Sequence, residues 1–191
     1  MLIVFTGNGK GKTTAALGQA VRTVGRGKNV LMIQFIKGPW KSGEDYFAAN
    51  FQFPISNFQK PPKFEIKKMG LGFVGILGDK LPKEEHAKAA RKALDYFKQE
   101  LDKSKPSFAK ASEGTWDMII LDEVNVAVSL GLLTAEEVLE TIKDLPAEKF
   151  VIFTGRGAPQ EFIDRADLVT EMKEIKHPFN DGKLAKIAME F

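Results

Sequence analysis

Cysteine is absent from the 191 residues, and histidine occurs only twice, as His86 and His177. The first absence excludes disulfide frameworks, thiolate zinc sites and cysteine nucleophiles. The second excludes a histidine-rich metal cluster. No apolar run approaches the ~18 residues that a membrane span needs, and the opening MLIVFTGNGKGK lacks the basic-then-apolar order of a secretory signal. Charge of one sign is not in excess either: 28 Lys and Arg against 25 Asp and Glu leave +3. That falls short of the dense basic footprint of a sequence-tolerant nucleic-acid binder. The expectation is a cytoplasmic protein with no nucleic-acid or membrane partner, acting on an anionic small molecule such as a nucleotide. With 43% hydrophobic and 28% charged residues, collagenous, coiled-coil and disordered compositions are excluded. The length predicts a single domain over 1–191, burying roughly 70% of its unfolded surface in a layered core.

Short apolar runs alternate with longer amphipathic stretches. Leu2 to Phe5, Val30 to Phe35, Met118 to Leu121 and Phe150 to Phe153 are continuous runs of four to six residues. Such runs suit central strands of a parallel sheet covered on both faces. Between them, Thr13 to Val24 repeats apolar residues at Ala16, Leu17, Ala20, Val21 and Val24, with Gly25 as a stop. Ala87, Ala90, Leu94, Phe97 and Leu101 make a second helical stripe, and Thr134 with Glu137 forms a capping box. Strand and helix in alternation predict an α/β fold with right-handed crossovers. Two regions break the pattern: Gly38 to Gly78, rich in Gly, Pro and Phe, and Ser104 to Trp116, which reads as an exposed loop. Leu168 to Phe191 carries two extended stretches around Asn180-Asp181-Gly182, the signature of a hairpin. His86, on the long helix, is expected to be solvated.

The chemical signal comes at once. TGNGKGKTT, Thr6 to Thr14, follows the first strand and opens the first helix. Inward backbone amides and the positive end of the helix cradle phosphate oxygens. Lys12 reaches across the phosphates and the Thr13 hydroxyl sits on Mg²⁺. The strict pattern wants a glycine five residues before Gly11, where Thr6 stands; counted from Gly7, the loop is one residue short. A second apolar strand ends in Asp122 and Glu123, at the carboxyl edge where α/β proteins bind ligands. One of the two is expected on Mg²⁺ and the other near the substrate. TGRG, Thr154 to Gly157, brings Arg156, either a neutraliser of phosphate charge or a surface arginine.

GNGKGKTTAALG, QFIKG with Gly43-Glu44, LDEVN, TGRGAP, ADLVTEM and KHPF occur in this order along nearly the whole chain. Together they resemble the P-loop ATP:corrinoid adenosyltransferases of cobalamin synthesis and salvage. The resemblance implies a P-loop NTPase-like (RecA-like) α/β fold, mostly parallel, with helices on both faces. It also implies a reaction: the cobalt of a reduced corrinoid attacks the 5′-carbon of ATP and expels triphosphate. Gly7, Asn8, Gly9, Lys10, Gly11, Lys12, Thr13 and Thr14 would then grip the triphosphate, and Thr13 with Glu123 or Asp122 would hold the metal. Lys12, Glu123 and Arg156 would be catalytic. A flavoprotein reductant and a homodimer are implied in the same way. The family's GF-x-W stretch, whose aromatic pair displaces the corrinoid's lower ligand, reads Gly72-Phe73-Val74-Gly75 here. Phe73 is kept and Gly75 replaces the Trp, so Phe73 is either a corrinoid contact or a core residue. The phosphate loop by itself also fits a nucleoside kinase or NTPase, and a non-catalytic binder of ATP or corrinoid.

Overall fold

The computed structural model describes residues 1–51, 60–76, 78–103, 115–178, 182 and 186. Four of its strands are the four apolar runs: β1 (Leu2–Thr6), β2 (Val30–Gln34), β4 (Met118–Asp122) and β5 (Phe150–Thr154). Two more, β3 (Phe64–Lys68) and β6 (Leu168–Glu171), close the edges of a sheet ordered β3-β2-β4-β5-β1-β6. Every pairing is parallel. The edges differ from the centre in composition as well as place. β3 carries Glu65, Lys67 and Lys68, charges that blunt an edge, and all four residues of β6 are exposed.

Alternate residues of each central strand feed opposite cores. Leu2, Val4, Leu31, Ile33, Ile119, Leu121, Val151 and Phe153 point to one face. There α3 (Lys83–Lys103) covers them with Ala90, Ala93, Leu94, Phe97 and Leu101. The short helices α4 (Val124–Ser129), α5 (Ala135–Thr141) and α6 (Gln160–Arg165) complete that layer. Ile3, Phe5, Val30, Met32, Met118, Ile120 and Ile152 point to the other face, under Ala16, Ala20 and Val24 of α1 (Lys12–Val24). Near them lies α2 (Gly43–Asn50). Burial on both faces explains why these strands are apolar without alternation. The α/β P-loop architecture is therefore as expected, and the Thr134–Glu137 capping box is formed at the start of α5.

Three expectations change. The first extended stretch of the carboxyl-terminal region is an edge strand parallel to β1; the hairpin around Asn180-Asp181-Gly182 lies outside the described residues except for Gly182. Of the Ser104 to Trp116 loop, 104–114 likewise lies outside them, but Trp116 is buried and donates its indole N–H to Glu100 Oε2 at 2.7 Å. His86 is not solvated. It is buried against Asp79, with Nε2 to Oδ2 at 3.0 Å, because α3 turns this position toward the loop that precedes it.

Candidate functional site

The carboxyl ends of β1, β2, β4 and β5 open onto one cavity of about 820 Å³. Lys10, Gly11, Lys12, Thr13 and Thr14 line it from the phosphate loop, Glu123 and Arg156 from the ends of β4 and β5, and Lys37 and Glu44 from the segment after β2. The apolar wall consists of Leu17, Val21, Phe47, Phe64 and Phe73. Leu17 and Val21 belong to the predicted helical stripe, yet only Ala16, Ala20 and Val24 of that stripe are fully buried, Leu17 packing partly against the core and Val21 standing exposed. The remaining two face the cavity.

Gly7, Asn8 and Gly9 form the back of the loop rather than the cavity wall. The Gly9 amide donates to Met172 O at 2.7 Å and the Met172 amide to Thr6 O at 2.8 Å. Gly7 (φ +93) and Gly11 (φ +114) hold the left-handed turns that only glycine adopts at low cost. Lys12 is buried, and its Nζ donates to Gly7 O at 2.8 Å and Gly9 O at 2.7 Å. Burial holds its pKa below the ordinary lysine value; Glu123 opposes that shift, while Arg156 and Lys10 add to it.

The two acids at the end of β4 have different surroundings. Asp122 is fully buried. Its Oδ1 accepts the hydroxyls of Thr13 and Thr154, both at 2.8 Å, and its Oδ2 accepts Gln34 Nε2 at 3.1 Å. Lys37 Nζ stands 3.9 Å from the same Oδ2 and also pairs with Glu44. Burial alone would lower the Lys37 pKa, but Asp122 and Glu44 outweigh it and raise the value. Glu123 instead faces the cavity, in a left-handed conformation (φ 63) that is costly for a residue with a side chain. Its amide donates to Thr154 Oγ1 at 3.0 Å. Burial, then the Asp122 charge, push its carboxyl up to about 7 against the pull of Lys12, Lys37 and Arg156. A Cβ on Gly155 would lie 3.0 Å from Glu123 Oε2, so the TGRG turn passes hard against this carboxylate. Buried Asn125 ties the two strand ends together, its Nδ2 donating to Phe5 O at 3.3 Å and Gly155 O at 3.0 Å.

The Thr13 hydroxyl and the Glu123 carboxylate are hard oxygen donors on one cavity, the chemistry Mg²⁺ takes when water and phosphate complete its shell. Among the described residues no three His, Asp or Glu gather into a metal cage without such help. Arg156 is exposed on the cavity wall, where its charge acts on both Lys12 and Glu123. Phe73 is 45% exposed and lines the cavity, which rejects the core-packing alternative. Gly75 has φ +70, a conformation hostile to the expected Trp. An indole does stand against Phe73, but it is that of Trp40, with ring centroids 5.7 Å apart.

All the site residues expected from sequence thus surround the cavity or brace its loop. Sequence reasoning gave no role to Gln34, Lys37, Trp40, Glu44, Asn125, Thr154 or Met172. QFIKG with Gly43-Glu44, LDEVN, TGRGAP and ADLVTEM contain all of them except Trp40 and were the available signal.

Over residues 1–191 the chain matches the family described as ATP:corrinoid adenosyltransferase BtuR/CobO/CobP. It is 36% identical over 191 residues to a corrinoid adenosyltransferase of Escherichia coli, covering 100% of this chain and 85% of that protein. The same figures describe its similarity to the corrinoid adenosyltransferase CobA of Salmonella typhimurium. A corrinoid adenosyltransferase of Pseudomonas aeruginosa is 35% identical over all of this chain and 83% of its own length.

Proposed function

The chain belongs to the ATP:corrinoid adenosyltransferase family, and from that premise we propose how its residues carry the 5′-deoxyadenosyl group of ATP to the cobalt of a reduced corrinoid. The cobalt electron pair forms the cobalt–carbon bond while the C5′–O bond breaks, its pair leaving with triphosphate. The protein supplies no nucleophile, so its work is positioning and charge stabilisation. The observation that carries the reading is that one cavity is lined both by Lys12, Thr13, Glu123 and Arg156 and by Phe73 with other apolar residues.

On this reading the Gly7 to Thr14 loop binds the triphosphate. Lys12 leaves the carbonyls of Gly7 and Gly9 to pair with the developing charge, and Arg156 adds a second cation. Mg²⁺ would be held by Thr13 and Glu123, neutralising leaving-group charge. Asp122, its oxygens already engaged by Thr13, Thr154 and Gln34, orients the Thr13 hydroxyl instead of binding the ion directly. One domain over the whole chain, a homodimer, a flavoprotein source of the reduced corrinoid and a cytoplasmic setting belong to the same reading. Among the described residues no helix is long and apolar enough to cross a membrane.

The deciding experiment is anaerobic: chemically reduced cob(I)alamin, MgATP and protein, following loss of the cob(I) absorbance and identifying the phosphate product. Corrin alkylation with stoichiometric triphosphate is expected. An untouched corrin with diphosphate and phosphate released would make the protein a P-loop hydrolase, and binding without reaction would make it a carrier.

A further inference from the structure

The loops leaving β2 and β3 run side by side above the sheet. Met69 and Gly70 amides donate to Gln34 O at 3.0 and 3.1 Å, and the Gly72 amide to Ile36 O at 2.9 Å. A Cβ on Gly70 would lie 2.3 Å from the Ile36 carbonyl carbon, so the approach requires glycine. On this base rests the Trp40 indole. A Cβ on Gly38 or Gly72 would come within 2.7 or 2.9 Å of the ring, so two bare stretches of backbone form its seat. Phe73 stacks against it at an interplanar angle of 26°.

Both loops are braced. Lys68 Nζ donates to Trp40 O and pairs with Asp45 Oδ2 at 2.6 Å, and Asp45 accepts from the Ser42 amide and hydroxyl. Asp79 accepts from the Gly75 and Leu81 amides and meets His86. Yet Trp40 is 47% and Phe73 45% exposed. Two large aromatic rings, held rigidly and left half in water, form a surface built for a ligand rather than for the core.

The size of the cavity indicates which ligand. At about 820 Å³ it suits one molecule of ATP, and its loop end is taken by triphosphate. A corrin macrocycle is flat, apolar on its face and larger than the nucleotide, so it has to lie across the mouth. Phe73 lines the cavity while half exposed to solvent, and the equally exposed Trp40 indole stacks on it without lining the cavity itself. We propose that Trp40 is a corrinoid-contact residue, its indole and the Phe73 ring forming the ledge that receives the corrin. The proposal rests on the adenosyltransferase reading above.

Steady-state adenosylation of cob(I)alamin by Trp40→Leu and Trp40→Phe tests it. In Trp40→Leu the KM for cob(I)alamin should rise by roughly 10-fold while the KM for ATP stays within about 2-fold. Trp40→Phe should recover most of the loss. If Trp40→Leu does not fold, Phe73→Leu removes the other ring and the same split is expected. An unchanged corrinoid KM overturns the ledge. So does a parallel rise in both KM values with a lowered Tm, which marks Trp40 as structural. A change of oligomeric state with corrinoid KM unchanged assigns the ledge to a second copy of the chain and overturns the proposal too. Wild-type protein that never alkylates the corrin would sink the adenosyltransferase reading itself, a different result from a wild type that turns over and a Trp40 variant that matches it.

Discussion

Lys12 and Glu123 carry opposite unfavourable shifts in one cavity, lysine downward and carboxyl upward, each driven first by burial. Neighbouring opposite charges only partly offset burial for either group, and MgATP brings a phosphate anion to the lysine and a cation to the carboxylate. Removing either should therefore damage binding of the charged leaving group more than folding. Lys12→Ala is expected to slow turnover by on the order of 10²-fold or more, the loss of one donor to developing charge. Wild-type-like turnover in a folded Lys12→Ala protein would remove that role. Glu123→Gln should leave the phosphate loop intact but raise the Mg²⁺ concentration needed for half-maximal rate by roughly 10–100-fold. Magnesium titration of both proteins at saturating ATP reads this directly. The same substitution at Asp122 would act through Thr13 and Thr154, whose hydroxyls lose a charged acceptor.

Phe47 stands on α2 and Phe64 on β3, but the Trp40–Phe73 stack lies on loops, and the loop between β3 and α3 is anchored through Asp79. Its carboxyl is held below the ordinary value, first by the Gly75 and Leu81 amides and then by His86. A depressed carboxyl contributes stability above its unfolded value of 3.8 and loses it as pH falls through the lower folded value. Asp79→Asn should thus melt below wild type throughout the neutral range, the gap closing only below about pH 3.8. Because Phe73 rides on this loop, the variant's corrinoid KM should rise while its ATP KM holds. Paired melts at pH 7 and pH 3 with kinetics at pH 7 check both statements; equal gaps at the two pH values would dismiss the charge argument. This element also shows what sequence could tell. The central strands, α1, α3 and the phosphate loop were legible because burial on two faces leaves long apolar runs, and because phosphate cradles need glycine at fixed places. Edge strand β3 was hidden: only Phe64 is buried and Glu65, Lys67 and Lys68 follow closely, a pattern read as irregular. The Trp40–Phe73 stack was hidden for another reason, since residues 33 positions apart meet only once parallel strands set their loops together.

Across the whole molecule, the phosphate loop depends on the far end of the chain. β6 pairs with β1, and the backbone just beyond it lies against Gly7 and Gly9. A Cβ on Gly9 would stand 2.7 Å from the Lys173 carbonyl carbon and oxygen and 2.8 Å from Met172 O. These are backbone atoms, so no side chain can swing aside to make room. Gly9→Ala must push the segment after β6 away from the loop or distort the loop itself, breaking the 2.7 Å bond from the Gly9 amide to Met172 O. The expected cost is about 1–3 kcal/mol of stability, with ATP affinity falling by an order of magnitude or so and corrinoid KM unchanged. Gly18 is the internal control. It lies exposed within α1 with nothing inside 4 Å of its Cβ position. There the same substitution should stabilise by roughly 0.5–1 kcal/mol through helix propensity and leave ATP binding alone. Urea melts and ATP titrations of the two variants therefore bear on one question. If Gly9→Ala behaves like Gly18→Ala, the carboxyl-terminal strand does not buttress the loop; if the two shift in opposite directions, the shape of the triphosphate site is set by packing between segments more than 160 residues apart.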